Sequence, residues 1–306
     1  MVIAMNKIFT EKLTEKLIKS KDCIVIAGET SSGKTSLAVS ISKNIPNSEI
    51  LVFDSRQIYK EMNIATGKDL DSYSEKYPHL IDIVYPNEDF TVFDFKNLAL
   101  KKIEELISKN KKLIITVGTG LYLRALDENL VFGPFSRKLR GILEIKTINE
   151  LKKIAANLAS KAELDSLDTK NRHRLIRFIE MKKLLGKTSY EVQKNLRSKN
   201  LFQQLNKEFV LLLTKKCELE ARIRKRVDSF FDYGLIDETR ILISKYPENL
   251  RSFSGIGYKE TIDYLKGTIS LCEAKERIFI RTRQYAKRQR TWFGKFFTKN
   301  RTEIHV

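Results

Sequence analysis

A short apolar run, Cys23-Ile-Val-Ile-Ala27, leads into Gly28-Glu-Thr-Ser-Ser-Gly33-Lys34-Thr35, and Ser36-Leu-Ala-Val-Ser-Ile41 continues at helical spacing. Buried strand, glycine loop and helix start follow one another as a phosphate-binding loop requires. The glycines let backbone N–H groups converge on an anion, and the helix N-terminus adds its partial positive charge. Lys34 offers a cation to a phosphate oxygen, and the Thr35 hydroxyl offers an oxygen ligand to Mg²⁺. Gly28, Glu29, Thr30, Ser31, Ser32, Gly33, Lys34 and Thr35 are thus the candidate diphosphate or nucleotide site, with Thr35 as the metal ligand. A tight turn without a ligand is the plainer alternative, and the correct flanks weigh against it. The loop specifies a diphosphate or a triphosphate without choosing between them.

The rest of the chain fits a sheet built around that loop. Glu49-Ile-Leu-Val-Phe53 reads as a second buried strand, Leu80 to Val84 as a third, and Lys112 to Val117 as a fourth ending in Gly118-Thr119-Gly120. Phe90 to Lys109 has a helical apolar pattern. Alternating strands and helices imply an α/β fold, a P-loop NTPase-like parallel sheet with helices on both faces. From Gly133-Pro134 to Asn206 the strand signal nearly vanishes, so a helical insert is expected there. The chain then divides into a first core part over 1–132, the insert over 133–206, and a return to the core over 207–306. Glu208 to Leu213 restores a strand, Cys217 to Phe297 is helical, and Thr302 to Val306 suits a short final strand.

With 306 residues, 42% of them hydrophobic, the chain has enough apolar material for a full core. Lys and Arg number 57 against 38 Asp and Glu, a formal net charge of +19. That excess favours a polyanionic partner, nucleic acid before membrane, although a lysine-rich solvated surface gives the same count. Cys23, Cys217 and Cys272 have neither disulfide-framework nor zinc-site spacing, and His79, His173 and His305 suggest no metal site. No signal peptide or membrane-length apolar run is visible, so a cytoplasmic protein without membrane attachment, and a monomer, are expected.

Three further stretches carry chemistry. Asp54 follows the second strand, where an open α/β sheet places its functional groups. It suits a Mg²⁺ ligand, a general base, or a cap for a following helix, and the sequence alone leaves these open. Arg172 to Phe178 sets Arg174 and Arg177 one turn apart, fit either to grip phosphates or to form surface salt bridges. On a helix from Ala274 to Phe293, Ile278, Tyr285 and Trp292 share one face, while Arg281 and Arg288 lie on a basic stripe opposite. That stripe suits RNA or diphosphate, or simply water.

Taken together, these stretches resemble the bacterial-type tRNA dimethylallyltransferase family. The resemblance covers Gly28 to Thr35, Asp54-Ser-Arg-Gln-Ile-Tyr59, Met62 to Lys68, His79-Leu-Ile-Asp82 and Gly118 to Tyr122. It continues through Arg174-Leu-Ile-Arg177 with Glu180, Arg222 to Asp228, Gly257-Tyr-Lys-Glu260, and Thr282-Arg-Gln-Tyr-Ala-Lys-Arg-Gln289 with Thr291-Trp-Phe293. It implies transfer of a dimethylallyl group from dimethylallyl diphosphate to N6 of the adenine 3′ of the anticodon, with Mg²⁺ as cofactor. Asp54, Lys34, Thr30 and Arg226 would be the catalytic set, Asp54 orienting N6 and taking its proton. The tRNA anticodon stem-loop would meet Asp54, Ser55, Arg56, Gln57, Thr119, Arg140, His173, Arg174, Arg177, Ser254, Gly257, Tyr258 and Lys259. The basic residues Arg281 and Arg288 are added to that surface from the helix pattern, and the insert would close over the anticodon arm.

The chain departs from the family pattern at several places. Glu29 replaces a customary proline, Pro78 stands before His79 where a histidine is usual, and Arg172 replaces an acid. Thr116-Val117 stand where valine and a glycine are common, and the insert is short from Phe135 to Ala156. An adenylate prenyltransferase shares the loop and the aspartate, but the basic C-terminal helix with Arg174 and Arg177 favours a polymeric acceptor. A non-catalytic RNA-binding P-loop protein would not need Lys34, Thr35 and Asp54 together. A small-molecule kinase would prefer ATP to an allylic diphosphate.

Overall fold

The computed structural model describes residues 2–73, 76–194, 198–297 and 301–305. Its sheet has five strands, β1 (Cys23–Gly28), β2 (Ser48–Phe53), β3 (Lys112–Val117), β4 (Lys207–Leu213) and β5 (Arg301–His305). They run in the order β2-β3-β1-β4-β5, and every neighbouring pair is parallel. A parallel sheet buried on both faces needs near-continuous apolar strands, and β1, wholly buried, reads Cys-Ile-Val-Ile-Ala-Gly. On one face Ile24, Ile26, Ile50 and Val52 pack with Leu17 and Ile41. Phe53, of opposite parity, meets Phe95 edge-on at 5.1 Å, and Phe95 stacks on Tyr122 at 3.8 Å. The helix carrying Phe95, Val92–Ser108, starts with a capping box in which Thr91 and Asp94 satisfy each other's backbone N–H.

Contacts divide the chain into two bodies, residues up to 127 with those from 200 onward, and Glu128–Lys199. The sequence extends the helical insert to 206, but Phe202 is fully buried beside Phe53 in the sheet-bearing body. Asn200 and Gln203 also donate to the Leu126 and Asp127 carbonyls there. The second body is helical. Its main helices are Arg137–Glu144, Ile148–Leu158 and Arg172–Leu185, packed through Leu143, Leu151, Ala155, Leu175 and Ile179.

The expected strand at Leu80–Val84 does not form. Leu80 and Asp82 have φ of 69° and 50°, which breaks any pleat. Single bridges, His79 to Leu51 and Val84 to Tyr59, and hydrogen bonds from the Asp82 and Ile83 N–H groups to the Gln57 and Ile58 carbonyls tie the segment down. A buried ion braces it further. The Lys68 ammonium, 1% exposed, donates to the Tyr59 carbonyl at 2.6 Å, to Asn63 Oδ1 at 2.8 Å and to Asp82. Burial lowers the Lys68 pKa, and Asp82 opposes that shift. The final strand spans Arg301–His305, with Val306 outside the described residues. Among the described residues no helix is long and apolar enough to cross a membrane.

Lys68→Met removes the cation but leaves Asp82 and two acceptors facing an apolar chain. Losing one partner of a buried pair costs about 3 kcal/mol. The urea unfolding midpoint should fall accordingly, and a midpoint unchanged from wild type would show that the loop is held elsewhere.

Candidate active site at the strand ends

The sheet register builds the site. Ala27 and Phe53 both pair with Val117, so Gly28, the last residue of β1, lies level with Asp54 and Gly118, which follow β2 and β3 out of the sheet. A cavity of about 1260 Å³ opens there, walled by the phosphate loop, Asp54–Gln57, Arg226, Tyr258, Tyr285 and Trp292.

In the loop, Ser31 and Gly33 adopt left-handed φ of 63° and 91°, and the helix Lys34–Lys43 begins immediately after. The Lys34 ammonium donates to the Gly28 and Glu29 carbonyls at 3.0 and 2.6 Å. Its pKa is pulled down to about 8, first by desolvation and further by Arg226, while Asp54 and Glu29 hold it up. Ser31 Oγ and Ser32 Oγ are buried with no hydrogen-bond partner in the protein, which suits a loop shaped to receive an anion. The Arg226 guanidinium reaches the Thr30 hydroxyl at 3.4 Å and the Gly67 carbonyl at 3.5 Å. Burial lowers its pKa against the opposing fields of Asp69 and Asp54.

The donor set for a cation is small. Thr35 contributes its hydroxyl, which also helps to hold the Tyr73 pKa down against burial. Among the described residues no cluster of three or more His, Cys, Asp or Glu could hold a metal. This fits Mg²⁺, which keeps several waters and takes its remaining oxygens from substrate phosphates; it does not fit a metal needing an all-protein cage.

Asp54 does not cap a helix, because residues 55–58 form a turn. Its Oδ1 accepts the Arg56 N–H at 2.8 Å. Burial raises the carboxyl pKa, against the lowering effects of the Arg56 and Gln57 N–H groups and the Lys34 ammonium. Gly118 makes room for it, since a Cβ there would stand 2.0 Å from Asp54 Oδ2. Thr119 Oγ1 accepts from the Ser55 N–H at 2.9 Å and lies 3.1 Å from Ser55 Oγ. Gln57 is tied to the Gly67 carbonyl at 3.1 Å.

The long helix Leu271–Phe296 forms one wall, and its part was not read from sequence. Gln289 accepts the Thr30 N–H at 2.8 Å and donates to the Gly118 carbonyl at 2.8 Å, so one amide bridges the phosphate loop and the turn beside Asp54. The Tyr285 hydroxyl donates to the same carbonyl at 3.0 Å, and burial pushes its pKa up. Trp292 lies over Gly120, where any Cβ would meet its ring at 2.4 Å. Gln289 belongs to the Thr282–Gln289 stretch noted in the sequence, but nothing in its spacing pointed to a bridge.

Several residues read as candidate RNA contacts are engaged within the protein. Arg281 pairs with Glu260, a buried carboxylate that accepts the Gly257 N–H and so caps the helix Tyr258–Leu265. The stripe therefore does not face water alone, and only its other member, Arg288, is exposed, with its guanidinium 5.8 Å from the Tyr285 ring. Tyr258 is buried, its hydroxyl donating to Glu238 at 2.6 Å. Ser254 and Lys259 are exposed, and Gly257 has a φ of 101° with Ala65 packed against it. In the second body, Arg140 grips the fully buried Glu180 with Nε at 2.8 Å and Nη2 at 2.6 Å. Arg177 reaches the same carboxylate and the Gly133 and Pro134 carbonyls. His173 and Arg174 are exposed, and Arg174 is 3.2 Å from Asp168.

A glycine loop, a half-buried carboxylate and two confined cations on one cavity at the strand ends place the chain in the P-loop-like class of α/β proteins. Its family follows from comparison with known proteins. The family model described as IPP transferase matches residues 57–296, and the chain belongs to that family. A tRNA dimethylallyltransferase of Alkaliphilus oremlandii is 37% identical over 288 residues, 90% of this chain and 89% of that protein. Another, from Acetivibrio thermocellus, is 40% identical and covers 89% and 88%. The solved full-length tRNA isopentenylpyrophosphate transferase of Bacillus halodurans superposes with a TM-score of 0.66 at 31% identity, covering 94% of this chain and 90% of that one. A eukaryotic dimethylallyltransferase acting on tRNA gives 0.78 at 27% identity, covering 94% and 74%.

Gly118→Ala should leave the sheet intact yet displace the Asp54 carboxylate, because the new methyl occupies its position. The expected result is a near-normal thermal midpoint with turnover reduced by about 10²-fold. Normal turnover in the folded variant would remove Asp54 from the reacting centre.

Proposed function

We propose that this chain transfers a dimethylallyl group from dimethylallyl diphosphate to the N6 amine of an adenine in tRNA, next to the anticodon on its 3′ side. The observation that carries the reading is one cavity joining a phosphate loop to a half-buried Asp54, with room for both an allylic diphosphate and an unstacked base. Lys34, Arg226, Thr30 and the loop N–H groups hold the diphosphate and stabilise its growing charge as the allylic carbon departs. Thr35 would hold a Mg²⁺ ion, which when bound would supply further charge neutralisation. Asp54 orients N6 and accepts its proton, and its raised pKa makes it a better base than an exposed carboxylate. Because an adenine amine is a weak nucleophile, fixing its position through Asp54 and the Ser55–Thr119 pair matters as much as basicity.

RNA contact is assigned to Ser55, Arg56, Gln57, Thr119, Ser254, Lys259 and Arg288 around the cavity, and to His173 and Arg174 on the helical body. Arg140, Arg177 and Arg281 serve this surface by fixing its backbone, their charges being spent on Glu180 and Glu260. The reading is tested by incubating the protein with labelled dimethylallyl diphosphate and total tRNA, with adenosine monophosphate as the competing acceptor. Label should enter tRNA alone. Asp54→Ala should keep donor affinity and lose about 10²–10⁴ in turnover. Label in the mononucleotide, or none in tRNA, would overturn the assignment.

Lys34 gives a pH dependence. Its pKa of about 8 in the free loop lies below the usual lysine range, so above pH 8 it is largely neutral. A bound diphosphate favours the charged form and raises that pKa. Donor binding should therefore take up a proton near pH 8 and weaken as pH rises further. Calorimetry in buffers of different ionisation enthalpy measures the uptake. Lys34→Arg, charged throughout, should abolish it.

A further inference from the structure

The phosphate loop contains a carboxylate of its own. Glu29 sits between Gly28 and Thr30, and its side chain is 1% exposed. Such a charge beside an anion site opposes every phosphate that enters, and its field does reach Lys34. The structure pairs it closely with Arg290 of the long helix. Arg290 Nε donates to Glu29 Oε1 and Nη2 to Oε2 at 3.0 Å, while Nη2 also donates to the Thr214 carbonyl at the end of β4. The fork is thus anchored on the sheet as well as on the loop.

We infer that Arg290 is a positioning residue of the phosphate loop, which binds the buried Glu29 in a two-pronged ion pair from a half-buried position and so cancels the negative charge that the loop itself carries toward the diphosphate. The inference rests on the reading that the loop receives a diphosphate. Arg290 does not touch the donor; it acts through Glu29. Its effect is separable from the loop's shape, because the neighbouring Gln289 independently pins the Thr30 N–H and the Gly118 carbonyl. An uncompensated charge several ångströms from a multiply charged anion, in a medium of low effective dielectric, weakens binding by about tenfold or more.

The test measures affinity for inorganic diphosphate by calorimetry, with thermal unfolding as the folding control. Arg290→Met should weaken binding at least about tenfold, and adding Glu29→Gln to that variant should recover affinity to within about threefold of wild type. A purely structural staple predicts the opposite for the pair, since the double variant still lacks the bridge to Thr214. The inference is overturned if folded Arg290→Met binds like wild type, or if the double variant stays as weak as the single one. Should Arg290→Met fail to fold, Arg290→Lys keeps the charge without the fork. Affinity near wild type in that variant supports charge compensation, and a tenfold loss overturns it. If the wild type itself does not bind diphosphate, the functional reading fails first and the inference with it.

Discussion

The parallel register of β1, β2 and β3 is the constraint on which everything else hangs. It brings a glycine loop, an aspartate and a second glycine turn to one level at the carboxyl edge of the sheet. A slip of one residue in β3 would put Val117 or Thr119 where Gly118 now stands, and either side chain would overlap Asp54. The strands cannot slip because their faces are buried on both sides, so each apolar residue is committed to one layer. Register, fixed by hydrophobic burial, thereby becomes the geometry of the candidate site.

Each of the two bodies keeps ionic groups out of water, and it pairs them with opposite charges. Lys68 is held by Asp82, Glu260 by Arg281, Glu29 by Arg290 and Glu180 by Arg140 and Arg177. Arginine meets each of the three buried glutamates, and for Glu29 and Glu180 its planar fork reaches both oxygens at once. Each of these pairs fixes a backbone segment at the cavity rim or, for Glu180, within the helical body. Lys34 and Asp54 differ from them. They face the cavity, and burial pushes the pKa of each toward its neutral form, as expected of groups that await a partner from outside.

Most of the fold was legible because it rests on local pattern. The apolar runs at Cys23, Glu49, Lys112 and Glu208 became strands close to where they were read, and the glycine loop declared its own context. Leu80–Val84 misled because an apolar run of strand length says nothing about φ, and two left-handed residues turned it into a braced loop. The insert's far boundary was hidden because Phe202, inside a polar helical stretch, buries itself against Phe53. Among the functional groups, Asp54 and Lys34 stood out by position. Gln289, Tyr285 and the pairing of Glu29 with Arg290 did not, because they join residues more than 160 positions apart, and such partners leave no trace in spacing.

The bridge made by Gln289 also bears on how the protein comes into being. Its phosphate loop lies early in the chain, yet the strand beside it, β4, begins at Lys207, and the amide that holds Thr30 arrives only at residue 289. Pairing β1 with β4 closes a long loop and is slow on that account. During synthesis the loop sequence therefore exists for most of the time without its neighbours, an unpaired flank of β1 beside an unbraced turn. The braced form of the loop is a late property of the growing chain, complete when the last long helix docks. A chain cut short before that helix would carry the recognisable motif without the amide that holds it.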